Sequence, residues 1–232
     1  MNSIAIITAR GGSKRIPRKN IKEFMGKPML FYAIEAAISS GLFSEVMVST
    51  DDAEIADLAK KLGAQVPFMR SEATSNDFAT TREVLVEVLS EYEKRGVQFD
   101  EFACIYPCVP FLSGETLRSA HQEFSNPDAD ALMPVVKYSF PIQRALRICA
   151  DGTLLYREPE NAPVRSQDLE PMYHDVGMFY FYRTEAFLSG RSMNIVPYKM
   201  SEDCVQDIDT LEDWAMAEMK YKILKGSAEC LK

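Results

Sequence analysis

The stretch SIAIITARGGSKRIPRKN, residues 3–20, joins an uninterrupted apolar run to a loop rich in positive charge. The apolar, β-branched run predicts a strand covered on both faces, as in a parallel sheet. The loop after it contains two adjacent glycines, Gly11 and Gly12. It also contains five cations, which are Arg10, Lys14, Arg15, Arg18 and Lys19. Because the chain of 232 residues has a formal net charge of −8, this local positive charge needs a specific explanation.

Outward from this stretch, segments with strand and helix periodicity alternate along the chain. The predicted strands are residues 45–50, 66–69, 102–106, 131–136, 177–182 and 194–200. The predicted helices are residues 28–40, 53–62, 81–95, 114–124 and 210–224. This alternation predicts an α/β fold, a Rossmann-like doubly wound and mostly parallel sheet.

The character of the sequence changes over residues 138–172. Helical periodicity is sparse there, and Asp151-Gly152 between two apolar segments indicates the turn of a β-hairpin. We therefore expect one domain over residues 1–232, with an inserted excursion over residues 138–172.

Composition excludes several classes of protein. A pI near 5.0 argues against a general binder of nucleic acid or of membrane surfaces. No apolar run is long enough for a transmembrane helix and no leader precedes the first strand, so we expect a cytoplasmic protein. The five cysteines form no CxxC pair, which argues against a disulfide framework and a zinc site.

The position of the basic loop indicates phosphate binding. A glycine-bearing loop after the first parallel strand lies at the carboxyl edge of the sheet, where open α/β proteins bind ligands. Arg10, Lys14 and Lys19 can converge there on one polyphosphate. The spacings of the Walker loop and of the GxGxxG fingerprint are both missing. The alternative is a solvated run of charges, which the position directly after the strand disfavours.

A second candidate element is QDIDTLED, residues 206–213. On an extended segment Asp207 and Asp209 point to the same side. Mg²⁺ is usually bound by one or two carboxylates together with phosphate oxygens and water, so the pair is a candidate metal site. The alternative for Asp209 is capping of the following helix.

The loop ARGGSKRIPRKN resembles the signature loop of the CMP-sialic acid synthetases, the acylneuraminate cytidylyltransferases, and the resemblance continues as far as QDIDTLED. It implies a fold of the nucleotide-diphospho-sugar transferase type and CTP as a substrate. It also implies Mg²⁺, with Mn²⁺ as an alternative, on Asp207 and Asp209. The implied catalytic residues are Arg10, Lys14, Lys19 and Asp209. The implied CTP-binding residues are Ala9, Gly11, Gly12, Asn20, Arg70 and Thr80.

The assignments of Arg70 and Thr80 depend on RSEATSNDFATT, residues 70–81, which is similar to the family's arginine followed by Asp-x-Ala-Ser/Thr. The resemblance implies that Arg70 contacts the nucleotide and that the Thr80 hydroxyl lies near the base or ribose. We expect Thr81 to cap the helix that follows.

The implied acceptor residues are Tyr106, Arg165, Gln167, Asp168, His174 and Asp175. Tyr106 stands where the family has a glutamine, and SQDL…YHDVG resembles the pseudaminic acid cytidylyltransferase branch. Cys108 could alternatively act as a nucleophile. Because no histidine is nearby in sequence, we expect its side chain to be packed instead.

The resemblance implies that CTP and a nine-carbon nonulosonic acid give a CMP-sugar and pyrophosphate. Pseudaminic acid is the expected acceptor, and N-acetylneuraminate and legionaminate are alternatives. A nucleotide-sensing protein without catalysis is the alternative from another class. The excursion, with apolar residues such as Phe140 and Ile142, implies a homodimer. The general base stays open between Asp209 and a metal-bound water.

Overall fold

The computed structural model describes residues 2–229, with side chains described as far as residue 224. The strands are β1 (Ser3–Thr8), β2 (Glu23–Phe24), β3 (Lys27–Pro28), β4 (Glu45–Ser49), β5 (Glu101–Ile105), β6 (Ala131–Lys137), β7 (Leu146–Ile148), β8 (Leu154–Tyr156), β9 (Tyr173–Asp175), β10 (Phe179–Arg183) and β11 (Ile195–Met200). The helices are α1 (Met29–Ser40), α2 (Ala53–Lys61), α3 (Glu72–Ser75), α4 (Thr81–Lys94), α5 (Gly114–Phe124), α6 (Thr184–Ser189) and α7 (Leu211–Glu229). Within these residues no helix is long and apolar enough to cross a membrane.

The main sheet has the strand order β11-β6-β10-β5-β1-β4, and β9 pairs with β6. β1 runs parallel to both of its neighbours, β4 and β5, whereas β10 is antiparallel to β5 and β6. The prediction of a mostly parallel sheet with helices between the strands is confirmed. A central parallel strand ends at the edge where its loop meets those of neighbouring strands, so the basic loop is placed at a shared rim.

Both faces of β1 are buried, as its continuous apolar sequence predicts. Ala5 and Ile7 belong to the core cluster that includes residues of α1 and α5. Ile4 and Ile6 face the opposite cluster, which contains Leu85 of α4. Full burial of one isoleucine side chain contributes about 1.5–3 kcal/mol to stability. The buried strand β1 therefore holds the start of the basic loop in a fixed position.

A third core cluster joins the basic loop to the end of the chain. Ile16 from the loop and Ile208 are both buried beside Trp214 of α7. The Trp214 ring packs edge-on against Phe24, with centroids 5.4 Å apart. These apolar contacts hold the segment before α7 against the loop, although the two are separated by most of the sequence.

The strand predicted at residues 66–69 is wrong. The chain pairs with β4 at a single bridge, between Met47 and Gln65, and then runs irregularly. Pro67 has no N–H to donate, so it interrupts the strand ladder. One further backbone hydrogen bond follows, from the Arg70 N–H to the Thr50 carbonyl at 2.8 Å. Phe68 still packs edge-on against Tyr92, which accounts for the apolar residues of this segment.

Residues 138–172 leave the main sheet after β6 and return to it at β9. β7 and β8 form the predicted hairpin around Asp151 and Gly152, where Gly152 has a φ of +83°. Several apolar side chains of residues 138–172 are exposed, with Phe140 before the hairpin at 85% and Ile148 of β7 at 78%. An isolated two-stranded hairpin of this kind is marginal in water.

Candidate active site

A cleft of about 530 Å³ lies over the basic loop, at the carboxyl edge of β1. The structure places seven of the predicted site residues in its lining: Arg10, Lys14, Lys19, Asn20, Arg70, Tyr106 and Asp209. The loop itself is closed by the buried Asn20 side chain, whose Nδ2 donates to the carbonyl of Arg10 at 2.8 Å. Convergence of these side chains on one cleft is the arrangement that polyphosphate binding requires.

The two loop glycines have different surroundings. The backbone N–H of Gly11 donates to Asp51 Oδ1 at 2.9 Å, and a Cβ at this position would meet Asp52 at 2.9 Å. A Cβ at Gly12 would have nothing within 4 Å. Gly11 is therefore required by close packing on the start of α2, while Gly12 leaves backbone open beside Arg10. Ala9, directly before them, is buried at the end of β1.

The five loop cations form three groups of ion pairs. Arg10 Nη1 lies 3.2 Å from Asp77, and Lys14 also pairs with Asp77. Arg15 pairs with Asp209 at 2.8 Å. Lys19 is more buried, and its Nζ donates to the carbonyl of Ile208 at 2.6 Å and lies 3.5 Å from Asp209.

The third group has a different role. Arg18, with a φ of +56°, pairs with Asp52 and Glu54 at the start of α2 and so turns away from the cleft lining. Its hydrogen bond holds the pKa of the Asp52 carboxyl below its usual value. Four loop cations thus face the cleft, and Arg18 fastens the loop to the helix beside it.

Arg70 lines the cleft from the segment after β4. Its Nε and Nη2 donate to the side chain and carbonyl of Ser49, at 3.0 and 2.6 Å. Burial lowers the pKa of its guanidinium, an effect that the nearby carboxylate of Asp51 opposes. Arginine keeps its charge in proteins, so Arg70 supplies a fixed positive charge at the floor of the cleft.

The capping expectation for the helix α4 is wrong. Thr80, and not Thr81, is the N-cap, because its hydroxyl accepts from the N–H of Glu83 while Glu83 accepts from the Thr80 backbone. Thr81 lies inside the cleft, and its Oγ1 is 3.3 Å from the Tyr106 hydroxyl. Of these two threonines, Thr81 is therefore the one that lines the cleft, and a nucleotide contact of Thr80 stays a prediction.

A second cleft of about 550 Å³ adjoins the first, and Tyr106 lines both. His174, Asp175 and Asp207 also line the second cleft. His174 Nδ1 lies 2.9 Å from the carbonyl oxygen of Asp175. Because a carbonyl only accepts, Nδ1 carries a proton and Nε2 is the nitrogen available to a ligand.

Three predicted acceptor residues lie elsewhere. Arg165, Gln167 and Asp168 are exposed, at a short 3₁₀ turn over Ser166–Asp168 in the excursion. They are not among the residues that line the two clefts in the described chain. A contact between these three residues and a sugar acid stays a prediction.

The two candidate metal carboxylates have different partners. Asp209 is neutralised by Arg15 and Lys19, whereas burial, and then the charge of Asp209, raises the pKa of Asp207. The cap of α7 is formed by Thr210 and Asp213, which exchange hydrogen bonds at 2.8 and 3.2 Å. The capping alternative for Asp209 is therefore wrong, and its carboxylate is directed to cations.

The carboxylate pair fits Mg²⁺ in part. The described residues contain no group of three or more histidine, cysteine or acidic side chains that could hold a metal ion. Mg²⁺ binding at Asp207 and Asp209 would therefore need phosphate oxygens and water as the remaining ligands, which is the usual composition of such sites. A carboxylate with a raised pKa beside a second one is also the arrangement that a bound dication relieves.

Cys108 is not activated. Burial raises the pKa of its thiol to about 12, and Sγ donates to Asn20 Oδ1 at 3.3 Å. A protonated, hydrogen-bonded thiol is a weak nucleophile. Cys108 thus helps to orient Asn20 beneath the loop.

The sequence reasoning missed two residues at the clefts, Asp77 and Tyr180. Asp77 lies within the Asp-x-Ala-Thr element, but its pairing with Arg10 and Lys14 crosses more than sixty residues of sequence. Tyr180 lies in the aromatic strand β10 and donates to Asp175 Oδ2 at 2.8 Å. No local sequence signal distinguishes it from its aromatic neighbours.

The fold and the two adjoining clefts, one of them lined by cations at the end of a parallel strand, define a nucleotidyltransferase. Residues 4–225 match the family model described as "Cytidylyltransferase", and the chain belongs to that family. It is 37% identical to a pseudaminic acid cytidylyltransferase of Campylobacter jejuni, over 98% of this chain and all of the relative. It is 32% identical to a CMP-N,N′-diacetyllegionaminic acid synthase of Legionella pneumophila, over the full length of both.

A solved structure has a similar fold. A CMP:2-keto-3-deoxy-manno-octonic acid synthetase complexed with CTP matches 97% of this chain and all of its own, with a TM-score of 0.71 and 20% identity. At that identity the likeness concerns the fold alone, and it agrees with the predicted fold of the nucleotide-diphospho-sugar transferase type.

Proposed function

We propose that this cytidylyltransferase transfers the CMP group of CTP to pseudaminic acid, giving CMP-pseudaminic acid and pyrophosphate. The observation that carries the proposal is the pair of clefts that share Tyr106, one lined by loop cations and the other by His174 and Asp175. An in-line attack needs both substrates side by side, which such a pair supplies. The similarity to pseudaminic acid cytidylyltransferases supports the choice of acceptor.

The cations of the first cleft would bind the triphosphate. Arg10 and Lys14 are free to exchange the exposed Asp77 carboxylate for phosphate oxygens, because both pairs are accessible to solvent. The half-buried Lys19 ammonium stays anchored to the Ile208 carbonyl and directs its remaining N–H groups to the nucleotide. Fixed charges of this kind stabilise the charge that develops on the α-phosphate and on the departing pyrophosphate.

Asp207 and Asp209 would hold Mg²⁺ against the triphosphate. The bound ion would supply neutralisation of phosphate charge. The chain's own contribution is the extended segment before α7, fixed by the buried Ile208, which keeps the two carboxylates beside the basic loop. Asp209 also pairs with Arg15 and Lys19, which fixes its position in the nucleotide cleft.

We further propose that a second copy of this chain covers the excursion. The exposed apolar side chains Phe140, Leu146, Ile148 and Leu154 are concentrated in residues 138–156. A homodimer would remove them from water. Sedimentation velocity at micromolar concentration should give twice the chain mass, and a monomer would contradict this proposal.

Release of pyrophosphate tests the function. The protein is incubated with CTP, Mg²⁺ and one of four acids: pseudaminic, legionaminic, N-acetylneuraminic or 3-deoxy-manno-octulosonic acid. We expect the highest kcat/KM with pseudaminic acid and CMP-pseudaminic acid as the product by mass spectrometry. A higher kcat/KM with another acid would reassign the acceptor. Absence of release with all four would refute the proposed function.

A further inference from the structure

Tyr180 lies on β10 and lines the second cleft, which the proposed function assigns to the acceptor. Its hydroxyl contacts another residue of this cleft, Asp175. The side chain is buried at 8% exposure on β10 and lines the second cleft. Its hydroxyl donates to Asp175 Oδ2 at 2.8 Å. Burial, and then the carboxylate of Asp175, raises the pKa of this phenol, so it remains a neutral donor.

The second oxygen of Asp175 is also engaged. Oδ1 accepts from the backbone N–H of Gly177 at 2.9 Å, where Gly177 has a φ of +66°. A carboxylate offers about four acceptor positions, so two positions remain for a ligand. Both oxygens are thus oriented by fixed donors, while Asp175 stays exposed to the cleft.

Tyr180 also supports the wall between the two clefts. The rings of Tyr106 and Tyr180 pack edge-on with centroids 5.9 Å apart. The Tyr106 hydroxyl in turn lies 3.3 Å from Thr81 Oγ1 on the nucleotide side. Asp175, Tyr180, Tyr106 and Thr81 therefore form one connected set that reaches from the acceptor cleft to the nucleotide cleft.

We propose that Tyr180 is a positioning residue of the acceptor site, which orients the Asp175 carboxylate to accept from a hydroxyl or amide N–H of the sugar acid. The proposal rests on the proposed function, because it assigns the second cleft to the acceptor. Tyr180 acts through Asp175 and needs no contact with the substrate of its own.

The test compares Tyr180→Phe with Tyr182→Phe. Tyr182 lies two residues further along the same strand, stacks on Tyr180 with centroids 6.2 Å apart, and packs against Phe187 of α6. Tyr180→Phe should raise KM for the sugar acid about tenfold, the usual effect of losing a hydrogen bond to a charged group. KM for CTP should stay within about twofold of the wild type, and Tyr182→Phe should leave both constants unchanged.

A merely structural role is tested by coupling. Asp175→Asn should also raise KM for the sugar acid, and the double variant should be less impaired than the product of the two single effects, because both remove one interaction. Equal rises in both KM values, or multiplicative effects in the double variant, would overturn the positioning role. Wild-type protein inactive with every acid would instead refute the proposed function, which separates the two failures.

Discussion

Replacement of Gly11 by alanine tests the packing that shapes the basic loop. The new Cβ would lie 2.9 Å from both Cβ and Oδ2 of Asp52. The carboxylate could rotate away, but Asp52 Cβ is attached to the backbone and cannot. Loop and helix start must therefore separate by roughly 0.5–1 Å to restore an ordinary contact.

The expected cost has two sources. Overpacking of a tight site costs about 1–3 kcal/mol. Asp52 is also the N-cap of α2, with its side chain accepting from the N–H of Ile55 at 3.0 Å, so its displacement weakens that cap. We expect the free energy of unfolding to fall by about 1–3 kcal/mol, with Tm lower by about 2–4 °C for each kcal/mol.

Gly12→Ala is the matched control, because a Cβ there has open space around it. Urea unfolding can be followed by the fluorescence of Trp214, the single tryptophan of the chain. The free energy of unfolding of Gly12→Ala should lie within about 0.5 kcal/mol of that of the wild type. Equal stabilities of the two alanine variants would refute the argument that Gly11 is required by its contact with Asp52.

Three further predictions concern charged groups. Asp77→Asn should strengthen binding of inorganic pyrophosphate about three- to tenfold in calorimetric titration. The reason is that the phosphate no longer competes with a carboxylate for Arg10 and Lys14. Unchanged or weaker binding would contradict this prediction. Asp209→Asn should lower kcat about a hundredfold or more in the pyrophosphate assay, and wild-type turnover that survives EDTA would count against the metal assignment. The pKa of Asp52 is lowered by its hydrogen bond from Arg18, so its stabilisation is present above the unfolded value of about 3.8 and is lost as pH falls through the folded value. In urea unfolding, the wild type should accordingly have a higher free energy of unfolding than Asp52→Asn above about pH 4, and this difference should be lost below that pH. A constant difference down to about pH 2 would contradict the ion pair.

Features that depend on neighbouring residues were predictable from the sequence. The strand before the basic loop, the alternation of strands and helices, and the hairpin at Asp151-Gly152 all follow from local periodicity and turn chemistry. The placement of Arg10, Lys14 and Lys19 around one cleft follows from the position of the loop after β1. The N-cap of α4 could also have been predicted, because Thr80 and Glu83 have the capping-box spacing that Thr81 lacks.

Features that depend on distant residues were not predictable in this way. Asp77 pairs with loop cations from another segment, and an acidic residue in a loop gives no sign of its partner. Residues 66–69 have the apolar pattern of a strand. Pro67 interrupts the ladder with β4, however, so a single bridge forms, at Gln65. The exposed turn that carries Arg165 belongs to an excursion whose position relative to the clefts has no local determinant.

The contact of Lys19 with the Ile208 carbonyl spans 189 positions of the chain, and it has a consequence for biosynthesis. During translation the basic loop leaves the ribosome long before Ile208 and Trp214, which pack against it, are synthesised. Long-range pairings of this kind form late, after the costly closure of a long loop. A nascent chain that stalls before residue 208 therefore contains the loop cations but not the core cluster that orders them.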